Sequence, residues 1–341
     1  MSNSDIIKAT RKTVRFYGCG GAGINICRKY DTIKDSVPEV LRAIEKMSFF
    51  DTSIANLEGV SKETAFLCED PHGNQIDGGG SDRRMNAELI MQNLDPFLIA
   101  HPPADMNVVV FGASGATGST AGPLLIDKLI ERGESVVAVI TLSVDSTTSC
   151  SNGYKTIAGL EHIVNKHNVP VAFTYSVTDT RDVKEQGDLY QLKCMSALSI
   201  LSSGRNRRID GADVRNTFAY HKVTDVPPSL ALLEIYHVDS EIEEIESSKY
   251  VSSISLLRTE NDRHPKTTSS VSKIGYLNET QMNYETGYFF GVSTDSINKK
   301  VIQHLETLMK ETTQQKAIMQ KSKSLLNGDL GDKPTVGTLV F

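Results

Sequence analysis

Two glycine-rich segments each lie between a buried strand pattern and a helix pattern, and they constrain the fold more than any other feature. The first is GCGGAG at 18–23, and the second is GASGATGSTAGP at 112–123. Glycine lets the backbone turn tightly and approach phosphate oxygens, and a helix N-terminus adds free N–H groups. A tight strand–helix turn could explain the first segment alone. A flexible linker explains the second segment poorly, because that segment lies directly between a buried strand and a helix, and a backbone cradle for phosphate is the better prediction.

The first two-thirds of the sequence alternates strand and helix patterns. Continuous apolar, β-branched runs are typical of strands buried on both faces of a parallel sheet. Strands are predicted at 13–18, 47–52, 107–112, 135–142 and 169–177, and helices at about 23–31, 83–100, 119–132, 153–167 and 181–202. This order predicts an α/β fold with a doubly wound parallel sheet, in which ligands bind beyond the carboxyl ends of the strands.

The pattern changes after a helix at 189–203 that is apolar on more than one face, which indicates a buried helix between two parts. Strands are then predicted at 229–238, 250–259, 271–277 and 287–294, followed by a long amphipathic helix at 296–323. No glycine loops separate these strands. The sequence therefore predicts a second part with a different, mixed architecture.

Composition narrows the class of protein. The 341 residues carry a formal net charge of −6, which argues against a broad surface for nucleic acid. Five cysteines without a CxxC pair and eight histidines without an HExxH motif predict reduced thiols and no metal site made of protein ligands alone. Because no apolar run could span a bilayer and no signal peptide is seen, a cytoplasmic protein without membrane contact is expected.

A third feature is the acidic stretch IDGADVR at 209–215. Asp210 and Asp213 stand three residues apart at a predicted helix start, so both carboxylates lie on one helix face. The residue types leave two interpretations open. One is an N-cap with a first-turn acid, which is common. The other is a carboxylate pair that belongs to a functional site.

The order of these segments resembles the tubulin/FtsZ superfamily. FDT at 50–52 is similar to its second loop, and DGGGSD at 77–82 is similar to its third, γ-phosphate-sensing loop. The second glycine segment resembles its GGGTG[ST]G signature, and IDGADVR resembles its NxDxxDVR catalytic loop. The chain is most similar to the phage-encoded tubulins, next to the plasmid-partitioning group, and less to bacterial FtsZ.

The resemblance implies a particular domain organisation and activity. It implies a GTP-binding domain at 1–180, a central helix with the catalytic aspartate loop at 181–222, a smaller α+β activation domain at 223–318 and a tail at 319–341. It also implies GTP or GDP with Mg²⁺ as cofactors, and a GTPase whose activity depends on assembly.

The resemblance also implies roles for individual residues. Asp210 and Asp213 would be catalytic, acting on the γ-phosphate of the next subunit. The implied nucleotide contacts are Gly20, Gly21, Ala22, Ser114, Gly115, Ala116, Thr117, Gly118 and Ser119 at the α- and β-phosphates, Gly79, Gly80 and Ser81 at the γ-phosphate, Asn25 and Asp188 at the guanine, Asn152 near the ribose and Asp51 toward Mg²⁺. The sequence departs from the family pattern in the signature loop, where glycines are replaced by Ser114, Ala116 and Thr120. It departs at two further positions, where Arg208 replaces an Asn and Asn152 replaces a frequent Glu.

The implied function is a GTP-dependent cytoskeletal filament that positions phage DNA in the host cell. The partner would be the chain itself, head to tail, with DNA or phage structures as indirect cargo. A basic run at 205–208 and an acidic run at 239–246 could form complementary contact faces, or simply solvated surface. Three alternatives stay open: a plasmid-partitioning filament, a scaffold that binds nucleotide with little hydrolysis, and an NAD(P)-dependent reductase, which leaves IDGADVR unexplained.

Overall fold

The computed structural model describes residues 12–70, 72, 83, 86–178, 181–277 and 287–294, together with the single positions 306, 307, 310 and 314. Those four positions are helical and fall within the long helix predicted at 296–323. The rest of that helix, the tail at 319–341 and the predicted γ-phosphate loop at 79–81 lie outside the described residues.

The described elements agree with most of the sequence predictions. The strands are β1 Thr13–Cys19, β2 Ile44–Asp51, β3 Ala65–Leu67, β4 Met106–Gly112, β5 Val136–Ser143, β6 Val171–Thr178, β7 Asn206–Arg207, β8 Leu230–His237, β9 Lys249–Leu257, β10 Thr268–Leu277 and β11 Tyr288–Ser293. The helices are α1 Gly20–Ile33, α2 Ala87–Ala100, α3 Thr117–Glu131, α4 Thr147–His167, α5 Arg181–Ser202, α6 Gly211–Phe218 and α7 Ile242–Ser247. The short elements β3, β7 and α7 were not predicted.

The strands form one sheet in the order β3-β2-β1-β4-β5-β6-β8-β11-β9-β10-β7. All neighbouring pairs from β3 to β6 are parallel, which confirms the doubly wound arrangement. The chain winds outward from β1 to β3 and then returns to place β4 on the other side of β1. Ligands bind beyond the carboxyl ends of the strands at such a switch point. One glycine loop follows β1 and the other follows β4, so both begin there.

The centre of this sheet is buried on both faces. Every residue of β4 is buried, as its continuous run of branched apolar residues predicts. On one side Phe97 of α2 packs edge-on against Phe50 and Tyr17, with ring centroids 5.0 and 5.6 Å apart. Aromatic packing of this kind fixes α2 against the strands that lead into the candidate site.

The second part of the chain extends the same sheet. Strand β8 pairs with β6 in parallel over three residue pairs, from Val171–Leu230 to Phe173–Leu232. Beyond it, β11 is antiparallel to both β8 and β9, and β10 is parallel to β9. The mixed directions confirm the change of architecture that the sequence predicts after α5.

Helix α5 runs from the carboxyl edge of the sheet, where the parallel strands end, to the amino edge, where they begin. Its 22 residues span roughly 33 Å. Gln191 fixes the helix to the sheet, because its Nε2 donates to the Ile140 carbonyl at 3.0 Å and to Ser176 Oγ at 2.8 Å. Near the end of α5 the Ser199 carbonyl accepts from the Ala43 N–H at 3.1 Å, just before β2 begins. Within the described part of the chain, no helix is long and apolar enough to cross a membrane.

Candidate active site

The two glycine loops touch each other at the switch point. Gly20, the first residue of α1, has a φ of +71°, which L side chains rarely adopt. A Cβ on Gly20 would lie 2.5 Å from the backbone nitrogen of Gly118, and a Cβ on Gly118 would lie 2.8 Å from the Gly112 carbonyl oxygen. These glycines therefore allow two backbone segments to pack in direct contact.

The other glycines of the loops are of two kinds: some pack against neighbouring backbone, and others have open space beside them. A Cβ on Gly23 would lie 2.0 Å from the Val110 carbonyl oxygen, so Gly23 lets α1 sit directly on β4. A Cβ on Gly115 would meet nothing within 4 Å. Among the described residues, no side chain caps the N-terminus of α1 or α3. Two uncapped helix N-termini at one point favour an anion such as phosphate.

Hydrogen bonds hold the second glycine loop in place. Ser114 Oγ donates to the Ser143 carbonyl at 2.8 Å and accepts from the Ser143 N–H at 2.9 Å. Asn152 Nδ2 donates to the Ser114 carbonyl at 3.1 Å, and the Thr156 hydroxyl donates to the Ala113 carbonyl at 3.0 Å. The buried Asn152 amide thus braces the loop, and the ribose contact implied for Asn152 stays a prediction.

Asp51 ends β2 beside the two loops and is fully buried. Its Oδ1 accepts from the Thr52 and Ser53 N–H groups at 2.7 and 3.0 Å, and its Oδ2 accepts from Asn56 at 3.0 Å. The hydroxyls of Thr52 and Thr117 share a hydrogen bond of 2.7 Å, which links this cluster to the start of α3. Burial raises the pKa of Asp51, because a low dielectric disfavours the charged carboxylate.

Asn86, just before α2, adds an unpaired acceptor to this cluster. It is 2% exposed, and its Nδ2 lies 3.4 Å from Thr52 Oγ1. Its buried Oδ1 has no hydrogen-bond partner among the described residues, which is costly unless a ligand or water supplies one. With the Asp51 carboxylate and the threonine hydroxyls, it makes an all-oxygen donor set. Such a set fits a hydrated Mg²⁺ ion. No sequence motif singled out Asn86.

A cleft of ≈ 450 Å³ opens along α1 next to the first glycine loop. Both residues implied to contact guanine line it: Asn25 from α1 and Asp188 from α5. Asp188 is 7% exposed and forms an ion pair with Lys29. The structure therefore brings the two predicted residues together and adds Lys29. Its position four residues after Asn25, on the same helix face, was a usable sequence signal.

Arg83 lies between the second glycine loop and α4. Its guanidinium donates to the Ser119 carbonyl at 2.8 Å and to the Asn152 carbonyl at 3.3 Å. Burial lowers its pKa, but an arginine stays charged at neutral pH. The side chain thus brings a positive charge to the start of α3, next to the predicted phosphate cradle.

Asp210 and Asp213 lie at the opposite, amino edge of the sheet, after α5. Asp210 is the N-cap of α6 and accepts from the N–H groups of Ala212 and Asp213 at 2.7 and 2.9 Å. Asp213 in turn accepts from the Asp210 N–H at 3.2 Å, which completes a capping box. The capping interpretation is thereby confirmed. The N–H bonds also lower the pKa of Asp210, so its exposed carboxylate is charged at neutral pH.

Positive side chains surround these two carboxylates. Lys273 of β10 forms an ion pair with Asp213 Oδ1 at 3.0 Å. The charges of Lys12 and Arg215 contribute to the lowered pKa of Asp210, after the backbone hydrogen bonds. This edge therefore combines two acceptor carboxylates with nearby cations, an arrangement that reduces repulsion toward an approaching anion.

Arg208 adopts a φ of +83° just before this loop. Asn tolerates such a left-handed conformation better than Arg does. In this chain the Arg208 guanidinium lies 4.9 Å from the Tyr276 ring centroid and pairs with Glu260 at 3.1 Å. Those contacts hold the exposed Arg208 side chain against Tyr276 and Glu260.

The acidic run at 239–246 overlaps helix α7 and is partly neutralised within the subunit. Glu241 pairs with Lys193 at 2.6 Å, and Glu246 pairs with Arg263 at 2.8 Å. The acidic run therefore has less uncompensated charge than the sequence suggests. Its role as an assembly face stays a prediction.

Glycine loops, a buried oxygen cluster and a neighbouring cleft at one switch point define a nucleotide-binding α/β protein. The model of the Tubulin/FtsZ family, GTPase domain, matches residues 13–176, the segment that contains both loops. Residues 13–176 therefore form a tubulin/FtsZ family GTPase domain, which ends within β6. This match removes the support for the reductase alternative.

Phage proteins are among the similar sequences and structures. A phage tubulin-like protein of Pseudomonas phage phiKZ is 27% identical over 96% of this chain and 98% of its own length. Another, from Pseudomonas phage PhiPA3, is 30% identical over 65% of this chain and 66% of its own length. The solved protofilament of TubZ from Bacteriophage PhiKZ has a TM-score of 0.79 and 26% identity, covering 96% of this chain and 99% of that one. The tubulin/FtsZ fold is thus confirmed over nearly the whole chain.

Proposed function

We propose that this chain binds GTP at the carboxyl edge of its sheet and hydrolyses it in a head-to-tail filament. The observation that carries the proposal is the separation of the two sites. The glycine loops follow the carboxyl ends of β1 and β4, whereas Asp210 and Asp213 lie at the amino edge. A seven-residue strand such as β1 spans about 23 Å. The aspartates therefore cannot serve the nucleotide of their own subunit.

The residues of the carboxyl edge have separable tasks in this proposal. Gly20, Gly21, Ala22 and the segment 114–119 hold the α- and β-phosphates through backbone N–H groups. Asn25 and Asp188 bind the guanine, since a carboxylate accepts from its N1–H and exocyclic amino group. Asp51, Asn86 and the Thr52–Thr117 pair hold hydrated Mg²⁺, which supplies charge neutralisation at the phosphates.

At the amino edge, Asp210 and Asp213 act on the next subunit's γ-phosphate. Phosphoryl transfer needs mainly positioning and electrostatic stabilisation from the protein. The carboxylates accept hydrogen bonds from the attacking water and orient it. Lys273 and Lys12 keep this acidic edge compatible with the negative phosphates. Hydrolysis consequently requires contact between subunits.

Assembly of this kind is heterologous, because each contact joins an amino edge to a carboxyl edge. Repetition without closure gives an open filament. A solved relative supports this, since the TubZ of Bacteriophage PhiKZ is known as a protofilament. By likeness to the phage proteins, we extend the proposal to a filament in the host cytoplasm that positions phage DNA, with self-association as the direct interaction and DNA as indirect cargo. A plasmid-partitioning role is the second candidate.

The proposal is tested by following right-angle light scattering and phosphate release together, with GTP and Mg²⁺, over a range of protein concentrations. Asp210→Asn is the matched variant, because Asn caps a helix about as well as Asp does. For the wild type, scattering and phosphate release should both appear above one threshold concentration. The variant should still scatter, while its hydrolysis falls roughly 10²- to 10⁴-fold.

Two results would contradict parts of the proposal. Phosphate release that is proportional to protein below the scattering threshold would mean that one subunit holds a complete site. Scattering without phosphate release in the wild type would favour the scaffold that assembles with little hydrolysis. For the cellular role, fluorescent labelling of phage DNA in infected cells should show a central DNA focus that is displaced when Asp210→Asn protein is made.

A further inference from the structure

One face of α1 runs from the phosphate cradle to the far end of the guanine cleft. Ala22, Asn25 and Lys29 are spaced by three and four residues, so they lie on the same side of the helix, and all three line the cleft. With a rise of 1.5 Å per residue, Ala22 and Lys29 are roughly 10 Å apart along the axis. That is about the distance from a nucleotide's phosphates to the far edge of its purine.

At this far end, Lys29 and Asp188 line the cleft and contact each other. Asp188 is a nearly buried carboxylate on α5, and its Oδ2 pairs with the Lys29 ammonium. The Lys29 side chain is 53% exposed, so it keeps donor capacity toward the cleft. An ammonium has three donors, and the ion pair uses one of them. The pair therefore presents a donor next to acceptor oxygens.

This order of donor and acceptors complements guanine. The edge of guanine carries the O6 acceptor, then N1–H and the exocyclic N2 amino group as donors. Adenine has an amino group where guanine has O6, and an acceptor at N1. An ammonium beside a carboxylate can therefore donate to guanine O6 and accept from its N1–H. With adenine, the ammonium would face the amino group, which is also a donor. A carboxylate alone would leave guanine O6 without a hydrogen-bond donor.

We propose that Lys29 is a specificity-determining residue that donates to guanine O6 while Asp188 accepts from N1–H and the N2 amino group. The proposal rests on guanine-nucleotide binding in this cleft, as argued above. The ion pair also fixes the position of the Asp188 carboxylate at this end of the cleft. Binding then needs little rearrangement at this end of the site.

The test uses nucleoside diphosphates, which avoid hydrolysis, and full-length protein. Affinities for GDP, 6-thio-GDP and IDP are measured by calorimetry for the wild type and for Lys29→Met and Lys29→Arg. 6-Thio-GDP replaces O6 with a poor acceptor but keeps both donors, and IDP lacks only the N2 amino group. Lys184→Met is the matched control, because Lys184 lines the same cleft and the ion pair with Asp188 is formed by Lys29.

The wild type should prefer GDP over 6-thio-GDP. Lys29→Met should lose roughly 10- to 100-fold in GDP affinity with little change for 6-thio-GDP, so that this preference disappears. Its preference for GDP over IDP should persist, Lys29→Arg should retain both preferences, and Lys184→Met should leave the GDP to 6-thio-GDP ratio unchanged. Circular dichroism confirms that each variant is folded.

Two outcomes overturn the assignment. If Lys29→Met keeps the wild-type ratio of GDP to 6-thio-GDP affinity, Lys29 does not read O6. If it weakens all three nucleotides equally, Lys29 acts through its charge or through folding and not through the base. Wild-type protein that binds none of the three would instead overturn the proposed function itself, which separates the two failures.

Discussion

The two edges of the sheet solve the problem of handling a phosphate in different ways. The carboxyl edge uses backbone: Gly20 and Gly118 pack so closely that no side chain fits between the loops. The amino edge uses side chains on a capped helix, with Asp210 and Asp213 held by each other's N–H groups. A site made of backbone depends on close packing, so we expect few substitutions to be tolerated there. The side-chain site should tolerate any substitution that preserves the helix cap. The comparison predicts different responses to substitution.

The largest effect is expected where backbone packing is tightest. Gly23→Ala places a methyl group 2.0 Å from the Val110 carbonyl, so the helix or the strand must move. Overpacking of this kind costs about 3 kcal/mol, and the variant should melt at a much lower temperature or fail to fold. Gly115→Ala is the control, because its Cβ meets no atom within 4 Å. It should melt like the wild type yet bind GDP more weakly, since the methyl group enters the phosphate space. Equal melting temperatures for the two variants would refute the packing argument.

An intermediate effect is expected at the buried carboxylate of the carboxyl edge. Asp51→Asn should weaken Mg²⁺ binding to the nucleotide complex by about 10- to 100-fold, measured by Mg²⁺ titration of bound fluorescent GDP. In nucleotide-free protein it should raise the melting temperature at neutral pH. The pKa of Asp51 is raised in the fold, so its ionisation there opposes folding, and Asn carries no such cost.

The pH dependence checks the sign of that effect. As pH falls, Asp51 becomes protonated in both states, so the stability it contributes is regained. The melting temperatures of Asp51→Asn and wild type should therefore converge in acid and diverge as pH rises through the folded pKa of Asp51. A gap in melting temperature that is constant over pH would mean that lost hydrogen bonds, and not charge, separate the two proteins.

The smallest effect is expected at the amino edge. Arg208→Ala keeps the left-handed backbone and removes the Tyr276 and Glu260 contacts, so it should cost about 1 kcal/mol in unfolding free energy. Arg208→Asn loses the same contacts but suits the conformation, and it should stay within about 0.5 kcal/mol of the wild type. Chemical denaturation of the three proteins measures both differences. If Asn proved as destabilising as Ala, backbone strain at this position would be negligible.

The backbone part of the molecule could be predicted from sequence because its determinants are local. The strand β4 reads directly from MNVVVFG, and the two glycine loops stand next to the strands they follow. The helix cap at Asp210 could also be predicted from sequence, since the capping box depends on two residues that are three positions apart. The sequence did not show whether a carboxylate that caps the helix can also have a catalytic role. The exposed Asp210 carboxylate shows that a cap can stay accessible.

The parts that sequence reasoning missed depend on distant residues or on conformation. Lys29 and Asp188 are 159 positions apart, and only the packing of α1 beside α5 brings them together. The orphaned oxygen of Asn86 is visible only once burial is known. The positive φ of Arg208 contradicts its residue type, so no propensity could have indicated it. The three-residue strand β3 is too short to produce an alternating pattern.

The outermost strands of the sheet have a consequence for how copies of this chain can join. One border is β3 with three residues, and the other is β7 with two. Strands this short offer almost no ladder of free N–H and C=O groups to a foreign strand. Among the described strands, however, β7 pairs with only Tyr276 and Leu277 of β10, so residues 268–275 of β10 have no strand on their outer side. Strand pairing between copies, the route that leads toward amyloid, would therefore start at such an uncovered stretch and not at the short border strands themselves.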